Sequence, residues 1–113
     1  MSTTETGRRA ETVAANYLVR DGYEIIERNW RTRWCEIDIV ATKRGILYFV
    51  EVKYRRSGAQ GNGLDYITSK KLAQMHFAAE FWLTKHASSA DYRLSALEVT
   101  GDAFAVSAWC DDI

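Results

Sequence analysis

Four charged residues offer the clearest chemistry in this chain: Glu36 and Asp38 in one short segment, Glu51 and Lys53 in another. Ile37, Ile39, Val50 and Val52 alternate with them, the pattern of β-strands whose successive side chains point to opposite faces. Lys43-Arg44-Gly45 lies between the segments as a turn signal, so they read as two arms of one hairpin. If the loop has two residues (Arg44-Gly45), Asp38 lies directly across from Glu51. If it has four (Thr42 to Gly45), Glu36 opposes Glu51 and Asp38 is its diagonal neighbour. Either even-length loop predicts that the three carboxylates and the lysine share one sheet face, with the aliphatic residues on the other. A slip of one residue would scatter them. Like charges facing across a hairpin repel, and a bound divalent cation would relieve that repulsion.

The elements that must position these groups are legible from periodicity. Ala10, Val13, Ala14, Tyr17 and Leu18 recur at i, i+3, i+4, i+7 and i+8, predicting an amphipathic helix closed by Asp21-Gly22. Residues 1–6 carry no such signal and are expected to form a disordered tail. A strand is predicted over Tyr23–Asn29, then a polar bend through Arg31-Thr32-Arg33. The hairpin arms follow at Cys35–Ala41 and Ile46–Tyr54. Arg55 to Gly63 holds three glycines within six positions and reads as a mobile loop. A second helix is predicted over Ser69–His86, with Thr68 as N-cap and Leu72, His76, Ala79 and Leu83 along one side. Strands near Tyr92–Val99 and Phe104–Trp109 complete an α-β-β-β-α-β-β order. It predicts a single α/β domain over residues 1–113, a mixed central sheet flanked by helices.

Composition bounds the function. At 113 residues, 47% hydrophobic and 27% charged, the chain suits one globular domain with a real core. Basic and acidic residues both total 15, which argues against tight non-specific binding to a polyanion. The charges are unevenly placed: residues 1–56 hold 11 basic and 8 acidic side chains, residues 57–113 only 4 and 7. Cys35 and Cys110 fit neither zinc spacing nor a disulfide framework. No secretory signal and no long apolar run is present, so a soluble, cytoplasmic protein without a membrane partner is expected.

The E-x-D, twelve-residue gap, E-x-K pattern within this element order resembles the PD-(D/E)XK nuclease superfamily, whose fold is the restriction-endonuclease-like sandwich. Several stretches are more specifically similar to the bacterial YraN family of predicted endonucleases, itself similar to archaeal Holliday-junction resolvases. They are Gly7-Arg8-Arg9-Ala10-Glu11, Cys35-Glu36-Ile37-Asp38-Ile39-Val40, Phe49 to Arg56, and Lys71 followed by Ala79 and Leu83. The likeness runs from about Gly7 to Trp109. It implies that Asp38 and Glu51 hold Mg²⁺ or Mn²⁺, with the Val52 carbonyl and Glu11 as further ligands. It implies that Lys53 is the catalytic lysine. Glu36 would support the site or bind a second ion. Hard oxygen donors of this kind suit these ions.

On this resemblance the chain is expected to be a metal-dependent endonuclease of branched or partly single-stranded DNA. The alternative is a nuclease-fold module that binds nucleic acid or protein with little catalysis. Arg8, Arg9, Arg55, Arg56 and Lys71 are the expected phosphate contacts, and Trp30 and Trp34 are candidates for stacking on unpaired bases. Junction resolvases pair two sites, which implies a homodimer. Two positions depart from the family pattern: Cys35 replaces a glycine before E-x-D, its side chain expected on the face away from Glu36 and Asp38, and Ser95 replaces an aspartate two residues after Arg93.

Overall fold

Ala10, Ala14, Ala15 and Leu18 form the buried stripe of α1 (Thr3–Arg20), a helix that begins well before its apolar pattern does. The computed structural model describes residues 2–57 and 63–113. Ser2 caps α1, its hydroxyl accepting the Glu5 N–H at 3.1 Å. Thr3 to Thr6 are therefore helical where a disordered tail was expected, because capping stabilises a first turn that has no apolar face to bury. Asp21 and Gly22, the latter at φ 93°, end the helix as expected.

The strands are β1 (Glu24–Arg31), β2 (Glu36–Lys43), β3 (Ile46–Arg55), β4 (Tyr92–Thr100) and β5 (Ala105–Cys110), with α2 (Ser69–Lys85) between β3 and β4. They form one sheet in the order β1-β2-β3-β4-β5, antiparallel except where β3 meets β4. A parallel pair cannot be joined by a tight turn, so α2 serves as the crossover. The expected α-β-β-β-α-β-β sandwich is the observed one. The Thr68 hydroxyl caps α2, accepting the Lys71 N–H at 3.1 Å. Residues 58–62 of the predicted loop lie outside the described residues.

The hairpin has the two-residue loop. Arg44 (φ 55°) and Gly45 (φ 79°) both take left-handed conformations, as a type I′ turn requires, and Lys43 pairs with Ile46. From there the register runs to Ile39 opposite Val50, where the ladder stops. Asp38 and Glu51, next in register, stand where the two strands begin to part.

Each face of the sheet carries a helix. Ile39, Ala41, Val50, Leu97 and Val99 pack beneath α1, while Ile37, Val40, Leu47 and Phe49 pack with Ala78, Ala79, Trp82 and Leu83 of α2. The buried stripe of α2 is Met75, Ala78, Ala79, Trp82 and Leu83. His76, expected on that stripe, is exposed instead, with Nδ1 2.9 Å from the Tyr92 hydroxyl.

Candidate active site at the strand fork

Strict alternation would put Ile37 and Ile39 on the same face, yet Ile37 packs on the α2 side and Ile39 on the α1 side. The neighbouring strand breaks at the same level. Trp30, paired with Ile37, belongs to the α2 side, whereas Arg28, paired with Ile39, reaches Glu11 of α1. Between them Asn29 adopts φ 53°, a left-handed conformation that asparagine tolerates better than most residues. This kink sits beside Asp38, at the point where the β2–β3 ladder ends.

The kink overturns the expectation of a single charged face. Asp38 lines a cleft of about 390 Å³ on the α1 side, with Arg8, Glu11, Asn29, Arg31 and Val52. Glu51 follows the ordinary alternation of β3 and lines a second cleft of about 470 Å³ on the α2 side, with Glu36, Lys71 and Cys35. The acids thus flank a fork rather than share a plane.

Their partners differ as well. The Asp38 carboxylate accepts the backbone N–H of Val52 at 2.7 Å, satisfying an amide beyond the end of the ladder. Burial, followed by the negative charge of Glu51, pushes the Asp38 carboxyl up to about 7, with Glu11 and Glu36 adding to the rise. The Val52 hydrogen bond opposes the rise and is outweighed. Glu51 instead meets the Lys71 ammonium at 2.7 Å. Lys71 was expected at a phosphate; here it is the cation on a site carboxylate.

The remaining expected residues divide three ways. Glu11 lines the Asp38 cleft, but its carboxylate is paired with Arg28 at 3.2 Å. Glu36 is exposed, 3.7 Å from Arg31. Lys53 is exposed, its ammonium 5.8 Å from the centre of the Tyr66 ring. Arg8 stands in the Asp38 cleft, and Arg9 and Arg56 line an adjoining cleft that shares Thr3 and Tyr54 with it. Arg9 lies over the Phe104 ring at 4.4 Å. Arg55 is turned inward against the buried Glu98, which removes it from the outward-facing arginines. Glu98 also accepts from Ser107 Oγ at 2.7 Å.

Both departures from the family pattern are accommodated. Ser95 is fully buried and donates to the Asp111 carbonyl at 2.9 Å, so a short hydroxyl satisfies a place where an unpaired carboxylate would be costly. Cys35 was expected to point away from Glu36; it lines the same cleft, its Sγ 3.5 Å from the Thr32 hydroxyl. Sequence reasoning missed Tyr66 altogether. Its hydroxyl is buried without a hydrogen-bond partner among the described residues, and burial and the charge of Glu51 push its ionisation upward. Only its closeness in sequence to the glycine-rich stretch hinted at this place.

Among the described residues no three His, Cys, Asp or Glu side chains form a ready-made ion cage. Glu11 in particular does not stand as the third side-chain ligand that was expected. Asp38, Glu51 and the Val52 carbonyl nevertheless supply the right donor type. Mg²⁺ is commonly held by one or two carboxylates, with water and substrate phosphate completing the shell. The raised proton affinity of Asp38 comes first from burial and then from the charge of Glu51, and a cation at the carboxylate would oppose both. The donor set therefore fits such an ion once Lys71 yields Glu51.

A mixed sheet clasped by two helices, in α-β-β-β-α-β-β order and with its acids at a hairpin fork, is a nuclease-like arrangement. The chain belongs to the uncharacterised protein family UPF0102, whose family model matches residues 10–101, bearing out the YraN resemblance. It is 43% identical over 98 residues to a UPF0102 protein of Chlorobium chlorochromatii, covering 87% of this chain and 76% of that one. A UPF0102 protein of Roseiflexus castenholzii is 39% identical over 103 residues, covering 84% and 83%. One from Clavibacter michiganensis is 40% identical over 82 residues, covering 73% and 70%. No helix among the described residues is long and apolar enough to cross a membrane.

Proposed function

We propose that this chain is a metal-dependent endonuclease hydrolysing phosphodiester bonds of DNA, with branched or otherwise structured DNA as its substrate. The observation that carries the reading is the Asp38 carboxyl, half-buried at the end of a parted hairpin beside Glu51 and pushed up to about 7. An acid placed this way weakens the fold at neutral pH unless a cation joins it, and perturbed groups in clefts are concentrated at functional sites.

Asp38, Glu51 and the Val52 carbonyl would hold Mg²⁺ or Mn²⁺. When bound, the ion supplies Lewis-acid polarisation of phosphate and water. Lys53 lies on the same strand face as Glu51 and offers an ammonium to charge developing on the phosphate. Lys71, whose ammonium lies 2.7 Å from Glu51, would be within reach of a phosphate oxygen if an ion held that carboxylate in its place. Arg8 and Arg31 hold the DNA backbone on the α1 side, with Arg9 and Arg56 extending that grip. In-line attack leaves a 5′-phosphate and a 3′-hydroxyl.

The test is cleavage of end-labelled four-way junction, flap, single-strand and duplex DNA in Mg²⁺ or Mn²⁺, with Asp38→Asn alongside. We expect cutting of a structured DNA, lost in Asp38→Asn while binding is kept or tightened. Cutting that persists in the variant removes the mechanism. Binding without cleavage in either ion favours a second reading, a nucleic-acid-binding or protein-interaction module. The Lys71 ammonium on Glu51 is the observation that favours it, since it already neutralises one of the two acids.

A further inference from the structure

The α2-side cleft carries more than Glu51 and Lys71. Trp34 (65% exposed) and Phe77 (51% exposed) are prominent exposed apolar side chains, and both line this cleft. Neither ring is loose. Phe81 backs both, its centroid 5.7 Å from that of Trp34 and 6.0 Å from that of Phe77, and Trp30 braces Phe81 at 5.9 Å. Cations border the rings: Arg33 lies 5.3 Å from the Trp34 centroid and Lys85 5.8 Å from that of Phe81. On α2, Lys70, Gln74, Phe77, Phe81 and Lys85 recur at helical spacing, an aromatic stripe with a lysine at each end. Nothing in the core requires Trp34 and Phe77 to be aromatic or outward-facing.

We infer that this cleft receives an unpaired nucleobase, stacked on Trp34 and Phe77, with the flanking phosphates met by Arg33 and Lys70. It deepens the nuclease reading by making DNA with unpaired nucleotides beside the cut the substrate class. Aromatic faces interleaved with cations are the chemistry by which proteins hold single strands, since every base has a π-face and every linkage a negative charge. A duplex offers no such face, because its bases are already stacked on one another. The cleft, at about 470 Å³, lies within the size range of pockets that take small flat ligands. A second copy of the chain is a poorer occupant. Two aromatic side chains bury roughly 150–250 Å² each, short of the roughly 800 Å² per partner of a standard stable interface.

The experiment is equilibrium binding of the full chain to fluorescent oligothymidylate and to a matched duplex, with divalent ions removed by chelator and at fixed low salt. Sedimentation of the same samples reports self-association. Trp34→Ala and Phe77→Ala are expected to weaken oligothymidylate binding roughly tenfold each, with little effect on the duplex. Trp34→Leu, which keeps apolar bulk against Phe81 without a large π-face, should lose affinity as Ala does, and Trp34→Phe should recover most of it. Equal losses on both DNAs, unchanged binding to both, Trp34→Leu binding as the unaltered chain does, or loss of a dimer in the variants would each overturn the inference. Because no cleavage is scored, its failure is separable from that of the nuclease reading. An inactive protein with this binding pattern keeps the stacking site, and an active one without it keeps only the nuclease.

Discussion

The acids on the two sides of the β2–β3 fork are not compensated alike. On the α2 side Glu51 meets Lys71 and Glu98 meets Arg55, so each carboxylate has a cation beside it. On the α1 side Glu11 has Arg28, but the hydrogen bond that Asp38 accepts comes from the Val52 backbone N–H. The amide donates without bringing a unit charge, and Asp38 remains a carboxyl pushed up to about 7. Charge is thus settled within the protein at three acids and left open at the fourth. On the proposed reading, Asp38 would gain most from a divalent ion, which would compete with the Lys71 ammonium for Glu51.

Removing the deepest of these cations should have the largest effect. Arg55→Met leaves Glu98 buried against neutral partners, and urea denaturation should show a loss of about 3–5 kcal/mol. A loss within about 1 kcal/mol would mean that Ser107 and Thr100 suffice for Glu98, and the contrast between the sides would fade.

Asp38→Asn should act in the other direction. A carboxyl with a folded value of about 7 against an ordinary 3.8 binds its proton more tightly in the native state. Its contribution to stability is therefore greatest below about pH 4, declines as pH climbs to about 7, and stays low above that. Asparagine can still accept from Val52 and does not ionise. The metal-free variant should accordingly be about 2–4 kcal/mol more stable than the unaltered chain near pH 8, and no more stable near pH 4. Parallel denaturation curves at the two pH values break the comparison if the gap between the proteins does not change.

Lys71→Met should have the smallest effect. The pair it breaks is partly exposed, so stability should fall by about 1 kcal/mol or less. The same change frees Glu51, and by titration calorimetry Mn²⁺ should bind about fivefold more tightly, the equivalent of that pair energy. Weaker Mn²⁺ binding would show that the lysine helps the ion rather than excluding it.

Much of this was legible in the chain. The Arg44-Gly45 turn, the Thr68 cap and the alternation through β3 are local, and each follows from neighbouring residue types. What stayed hidden depends on distance or on a single backbone angle. Asn29 sits in a polar stretch that gives no sign of its left-handed conformation, yet that kink separates Ile37 from Ile39 and puts Asp38 and Glu51 in different clefts. With a helix on each face, apolar residues serve both sides of the sheet, so the one-faced reading of Glu36 and Asp38 lacked its premise. Arg55 and Glu98 are 43 positions apart and meet only because β3 and β4 run parallel. Of the expected α2 stripe Ala79 and Leu83 are buried, but Leu72 and His76 fit the spacing as well as Met75 and Trp82 do, and spacing alone could not choose between them.

The tight turn at Arg44-Gly45 also sets a rule for how the gene can change. The face that Glu51 occupies is fixed by counting back along β3 to that turn, and a strand repeats every second residue. Insertions or deletions there preserve the fork when they come in even numbers of codons. An odd one that kept the two-residue turn would hand Val50 and Val52 to α2 and turn Glu51 into the core beneath α1, whereas a three-residue loop with its bulge would absorb it. Length differences among relatives at this turn should therefore favour steps of two.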